Sequence, residues 1–582
     1  MTVTQQSIAG FEHRRRHLLE LACRGTSNID HRGREIHRAV DFSGISAIAK
    51  LHLGRDIETA NRRLCRVAEW FDRPLHPEME SRGHDGPCTF VAMRLCRAWF
   101  LFKDSDLLAK RTRELIRRFF LEFDLHSRHN SENHHMLFHT SRYLMAREMP
   151  GEIFKGYDCR GEDLIGKDAE WLKTFIRYRS RRGWGEWDSA CYFQVDWNCL
   201  LNLHDYAADK ELQSLAAMML DLMLADMAVD SINGMYCGAH GRIYDPHALN
   251  HSTENTRTHQ YLYFGNLPDN AVTWPRPVQI DPLVSSYRPR RIVLDIALDR
   301  SRPYDNRERK HLHNVQDVLP VKPLDGSIRK ITRYTPHYVL GAVQFQDPYP
   351  PGLKAGWYAR HSQHEWDLSF GTRPGARLFT HHPNGAGATS HSYWTGDSRC
   401  GCVSTFQHNT ALLALYDIPA DQPKQFIHAY VPHDSLDAVI EEEGWIFVRE
   451  GKAVAALLML GGHQFTTGGA WKDLEVISPG AQNGAVCEVG LLKDFGGFDA
   501  FKRAIAASNV HFDREKMTLI YKSNQSGEIT INTRGRREVD GCAVNLDYPA
   551  YGSPYMQSDW DSGVITLTHR NQKETLDFRA RR

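Results

Sequence analysis

Residues 211–229 read ELQSLAAMMLDLMLADMAV. Leu212, Leu215, Met219 and Leu222 recur at steps of three and four, so one face of a helix is apolar and must be buried. Working outward, the same spacing returns in RLCRVAEWF (63–71), CTFVAMRLCRAWFLF (88–102), LLAKRTRELIRRFFLEF (107–123) and YFQVDWNCLLNLHDYAA (192–208). Short polar or Gly-containing breaks separate these segments. Helices joined in series by short breaks pack as antiparallel pairs, which predicts an (α/α) toroid or incomplete barrel over residues 1–270. No repeat of fixed period is visible, which argues against a regular solenoid.

The texture then changes. NLPDNAVTWPRPVQIDPLVSSYRPRR (266–291) is rich in Pro, and residues 271–335 read as a linker or crossover. From 336 to 582 the period is two. GWIFVREGKAVAALLML, KMTLIYKS, GEITINT and GVITLTHR read as strands bounded by Gly, Asn and Asp. Short strands over so long a stretch predict an antiparallel β-sandwich domain. The fold class is therefore α+β and multidomain, a helical toroid followed by a β-sandwich.

A chain of 582 residues is too long for one core. Its 72 basic residues nearly cancel 71 acidic ones, leaving +1, so total charge argues for neither nucleic acid nor membrane as partner. The start, MTVTQQSIAGFEHRRRHLLELACRG, has no apolar core of signal-peptide length. No run of about 18 apolar residues suggests a membrane span. The expected location is cytoplasmic, as for an enzyme of bacterial type, or periplasmic if a leader is missing. The 12 Cys contain no CxxC pair and are expected to be reduced, buried thiols. Monomer and homo-oligomer both stay open.

Four stretches carry candidate chemistry. In SENHH (131–135), Ser131 can cap a helix whose first turn presents Asn133, His134 and His135. An amide donates hydrogen bonds to a carboxylate, and an imidazole exchanges protons near neutral pH. In RRGWGEWDSACYFQVDWN (181–198), Glu186, Asp188 and Tyr192 follow Gly183 and Gly185, with Trp184 between the two glycines. Asp188 and Tyr192 would share a helix face. The Gly-rich GMYCGAHGRIYDPHALNHSTEN (234–255) crowds His240, Arg242, Tyr244, His247 and His251 into one loop, where Arg can grip a carboxylate through two bonds. In the β region, His364, His382 and His408 are candidate imidazole ligands for a zinc-like ion, although their spacing fits no compact zinc motif. Each stretch has an ordinary reading too: a solvated helix start, a cap with a core Tyr, a polar loop, strand histidines.

Together these pieces resemble the heparinase II/III-like and oligoalginate-lyase group of polysaccharide lyases. The group joins an N-terminal α/α toroid to a C-terminal antiparallel β domain. It has an adjacent Asn-His pair at a helix start and a catalytic Tyr further on, which Asn133-His134 and Tyr192 match. HEWDLSF looks like the group's His-x-x-x-Leu-Ser-Phe strand, whose His binds a structural zinc, and His364 holds that place. QHNTALL matches the strand start that supplies another ligand, His408. An Asp-Pro-Gly turn usually supplies a further one; here the turn reads THHPN with His382, a departure. The resemblance implies a possible structural Zn2+, no organic cofactor, and a uronic-acid-containing oligo- or polysaccharide as substrate.

The activity so implied is β-elimination at a 4-O-linked uronic acid in alginate, glucuronan or a glycosaminoglycan. Asn133, aided by His134 or Arg242, would neutralise the sugar carboxylate. Tyr192 would move protons, with His134 as alternative base and Tyr244 and His240 in reserve. His135, Trp184, Glu186 and His251 would bind substrate. Two rivals remain: a glycoside hydrolase using Glu186, Asp188 and Glu254, and a non-catalytic carbohydrate-binding protein.

Overall fold

Asp209 opens the helix Lys210–Val229. Its side chain accepts from the backbone N–H groups of Glu211 and Leu212 at 3.0 and 3.1 Å, donors that no preceding turn can satisfy. Leu212, Leu215, Met219 and Leu222 are buried as their spacing predicts, and from Met219 to Val229 every residue is buried. Helices Gly161–Arg182, Phe193–Tyr206 and Arg291–Leu298 pack around it. By length and composition this helix could cross a membrane, but 78% of its most apolar window lies inside the protein, as in a core helix. The structure is a computed structural model. It describes residues 2–25, 28–29, 35–37, 44–69, 88–122, 131–272, 279–299, 301–311, 327–346, 364–383, 393–395 and 402–579.

Helix Glu132–Glu148 packs on Cys88–Phe102, Gly161–Arg182 and Phe193–Tyr206, so successive helical pairs lie side by side. Their shared core runs from Leu18 through Leu144, Phe175 and Trp197 to Met227. This is the helical N-terminal region that the periodicity predicts.

Among the described residues, the C-terminal strands form sheets of twelve, six and five strands, with antiparallel pairing. The twelve- and six-stranded sheets enclose Leu340, Trp366, Leu378, Leu412 and Leu457. The six- and five-stranded sheets, with helix Phe498–Ala506, enclose Phe406, Leu413, Phe447 and Leu519. Strand Ala411–Asp417 feeds Leu412 and Ala414 to one core and Leu413 and Leu415 to the other. That two-sided burial makes its sequence continuously apolar.

The stretch 271–335, predicted to be a linker, is folded into both regions instead. Helix Arg291–Leu298 packs on Lys210–Val229. Strands Tyr304–His311 and Ser327–Tyr334 pair in the middle of the twelve-stranded sheet. Residues 273–278, 300 and 312–326 lie outside the described residues. Strand Tyr304–His311 escaped the periodicity because it buries Asn306, Glu308 and Lys310; its inward face is polar. The far end of the same sheet, with Ile565, Leu567 and Leu576, joins the helical core and ties the two regions together. Ten cysteines among the described residues are free; five are buried as expected, while Cys23, Cys65, Cys159 and Cys402 are half-buried and Cys542 is exposed.

Candidate active site

Helix Glu132–Glu148 starts where SENHH predicts, with Ser131 at the N-cap. The Ser131 hydroxyl donates to Asn133 Oδ1 at 3.2 Å rather than capping a backbone N–H. Glu132, a residue the sequence did not single out, is fully buried. It accepts the backbone N–H groups of Gly185 and Glu186 at 3.0 and 2.6 Å and pairs with Arg179 at 3.1 Å. The first turn of this helix thus anchors the segment 184–192.

That segment is not a helix. The helix begins at Phe193 and Tyr192 is its N-cap, so Glu186 and Asp188 precede it on a loop, and Asp188 is left-handed at φ 53. The predicted shared helix face of Asp188 and Tyr192 does not exist. The two Gly residues and a chain that turns on Asp188 break the helical spacing.

The loop brings five side chains into one hydrogen-bonded line. Asn133 donates through Nδ2 to Glu186 Oε2 at 2.7 Å. Arg242 donates through Nη1 to Glu186 Oε1 and through Nη2 to Tyr244 Oη, each at 3.1 Å. The hydroxyls of Tyr244 and Tyr192 are 2.8 Å apart, and the Arg242 guanidinium lies 5.0 Å from the centre of the Tyr192 ring. Residues from a helix start, a loop and the Gly-rich segment therefore converge.

Burial dominates the electrostatics. It pushes Glu186 up to about 7, against the pull of Arg242 and with added repulsion from Glu132. Asp196, also missed from the sequence, is raised well above the carboxylate range by burial and by Glu132 and Glu186. Burial likewise holds Tyr192 well above 10, outweighing Arg242. Tyr192 therefore keeps its proton, although a guanidinium lies 5.0 Å from its ring.

Other candidates go elsewhere. His134 packs edge-on to Phe90 at 5.0 Å. His135 faces away, stacked with Trp171 at 5.9 Å, and burial lowers it to about 4; neighbours on a helix diverge by about 100°. Trp184 is half-buried, 5.8 Å from the Phe175 ring. His240, a catalytic candidate, is buried with both ring nitrogens against backbone carbonyls, those of Asp188 at 2.6 Å and Tyr236 at 3.1 Å. His251, a substrate-binding candidate, is buried between Glu254 at 2.5 Å and Ser369 at 2.7 Å. Both histidines hold the loop rather than present a nitrogen to substrate. His247 likewise meets the Thr253 hydroxyl at 3.0 Å.

The hydrolase reading loses its acid–base pair. Asp188 is gripped by Lys310 and Lys330 and accepts from Tyr236. Glu254 is tied to His251 and 1% exposed. Glu186 faces Asn133 and Arg242, so the three carboxylates serve separate partners.

The zinc set does not fit either. His364 Nδ1 lies 3.0 Å from His381, and its Nε2 lies 3.2 Å from the Arg377 guanidinium. His382 Nε2 meets the Lys424 carbonyl at 2.9 Å. His408 ends strand Val403–His408, half-buried. Among the described residues, His364, His382 and His408 do not come together as a group whose ligand atoms could share one ion.

No family model matches the chain, and no curated protein does. Two solved structures are similar over most of its length. A crystal structure of heparinase III shares 9% identity with a TM-score of 0.38, covering 94% of this chain and 83% of that one. The chondroitin AC lyase of Streptomyces coelicolor A3, in complex with chondroitin sulphate, shares 10% identity with a TM-score of 0.39, covering 91% of this chain and 88% of that one. Likenesses this distant assign no residue and decide no activity.

Proposed function

We propose that the protein is a lyase that cleaves a 4-O-linked uronic acid glycan by β-elimination. The observation that supports this reading is the line Asn133–Glu186–Arg242–Tyr244–Tyr192. It combines amide and guanidinium donors with two phenols in contact, which is what the reaction requires. Removing the C5 proton builds negative charge on the sugar carboxylate. Asn133 and Arg242, the amide and guanidinium donors of the line, would stabilise that charge.

The phenols then divide the proton work. Tyr244, whose oxygen accepts from Arg242, serves as the base that takes the C5 proton. The C5 electron pair forms the C4–C5 double bond, the C4–O4 bond breaks, and Tyr192 protonates the departing oxygen. The 2.8 Å contact returns the proton from Tyr244 to Tyr192 and resets the pair.

The test is incubation with alginate, glucuronan and glycosaminoglycan oligosaccharides, following ultraviolet absorbance and reducing ends together. A rise in both supports the lyase. Reducing ends without absorbance mean a hydrolase, and binding without either means a carbohydrate-binding protein; each would reject the proposal.

A further inference from the structure

Two lysines of the β region reach into the loop that carries Glu186 and Tyr192. Lys310 donates to one oxygen of Asp188 and Lys330 to the other. Lys310 also donates to both oxygens of Asp226, at 2.9 and 2.8 Å, and lies 3.4 Å from Glu308. Lys330 donates to Asp230 at 2.5 Å and lies 3.1 Å from Glu308. Asp226 and Asp230 sit at the end of helix Lys210–Val229. Asp188 therefore joins the two regions, with the side chains of both lysines no more than 2% exposed. Asp188, Asp230 and Glu308 are close enough to share an ion, but the Lys330 ammonium already stands between them.

Four carboxylates face two ammonium groups, so the buried cluster retains protons. Burial raises Asp226 well above its ordinary range and Asp230 to about 6. At Asp188 the same burial is outweighed by Lys310 and Lys330, which hold it ionised. Glu308 is held down by the same two lysines, so of the two carboxylates kept ionised Asp188 is the one on the loop.

From Asp188 the hold spreads along the backbone. Its carbonyl accepts from His240, and the Trp187 carbonyl accepts from Gly241 N–H at 2.8 Å. Ser189 Oγ donates to the Arg242 carbonyl at 2.6 Å and accepts from Tyr192 N–H at 3.1 Å. His240 N–H reaches the His364 carbonyl of the β region at 3.0 Å. A left-handed Asp is strained, and such a residue persists where its surroundings over-determine it.

We infer that Lys310 and Lys330 are positioning residues: through Asp188 they set the loop from which Glu186 and Tyr192 meet Arg242 and Tyr244. The consequence for turnover rests on the lyase reading; the placement of the loop does not. The experiment compares D188N with D226N, each of which removes one carboxylate from the same cluster, only the first from the loop. Amide hydrogen exchange in 184–192 and 236–244 should quicken about tenfold or more in D188N, as expected when local opening becomes easier, and stay within about twofold in D226N. On a uronate substrate, D188N should lose about 100-fold in kcat with KM little changed, while D226N keeps most of it. K330R should retain more kcat than K330M. Equal loosening in D188N and D226N, with kcat falling in step with melting temperature in both, makes the cluster merely structural and overturns the inference. Should D188N not fold, K330M carries the test, and unchanged exchange at 184–192 in K330M overturns it. If exchange separates the variants but the native protein makes no unsaturated product, the loop inference stands and the lyase reading falls.

Discussion

Replacing Tyr192 by Phe deletes one oxygen and leaves the ring in place. In the native protein that oxygen touches Tyr244 Oη at 2.8 Å, and Tyr244 keeps its Arg242 donor at 3.1 Å. No partner is orphaned, so the stability cost should be about 1 kcal/mol or less. The cost in rate is of another order. Loss of a placed proton donor costs about 10²- to 10⁴-fold, or about 3 to 5 kcal/mol of barrier. Burial holds Tyr192 well above 10, so the native rate should show no alkaline limb from this group below about pH 10. The assay is ultraviolet absorbance of the unsaturated product across pH, with urea melts of both proteins. A kcat within about twofold of native refutes the role. So does a rate loss accompanied by destabilisation well above 2 kcal/mol, which would mark Tyr192 as a packing residue.

Asn133→Ala removes the amide that holds Glu186 and should cut kcat/KM about 100-fold, as loss of one oxyanion-type donor does; unchanged steady-state kinetics reject it. Glu186→Gln tests the buried proton. With the native pKa raised to about 7 from 4.5, the fold is favoured below pH 4.5 and loses that contribution as pH rises through 7. The linked stability is about 3 kcal/mol, so E186Q should flatten the slope of stability against pH over that interval, and parallel slopes in urea melts would contradict it. Gly241→Ala places a Cβ 2.7 Å from the Trp187 indole nitrogen; overpacking should destabilise by about 1–3 kcal/mol. Tryptophan fluorescence and urea melts report it, and a native-like melt would show that the loop can yield.

How much was legible differs by element. The helices and the C-terminal strands repeat apolar residues at 3.6 or 2, and local spacing is enough to read them. Asn133 stood out because an amide and two imidazoles crowd a helix start, and Tyr192 and Arg242 because their neighbourhoods are rich in Gly and polar groups. Glu132 and Asp196 did not stand out, since a lone carboxylate in a helix looks solvated until its burial is known. His240 and His251 misled for the converse reason: histidines in a Gly-rich loop look chemical, and only coordinates show that carbonyls and Glu254 consume their nitrogens.

The chain's own pattern determined a helical first half, a β second half and the residue types of a polar centre, because burial periodicity is a property of neighbours along the backbone. Only the tertiary structure decided that Asn133, Glu186, Arg242, Tyr244 and Tyr192 form one line, and that strands with charged inward faces send Lys310 and Lys330 to Asp188. Apart from Arg242–Tyr244, those contacts span 52 to 142 residues of chain, and the pairing of buried charges depends on which distant partner shares the same low-dielectric space.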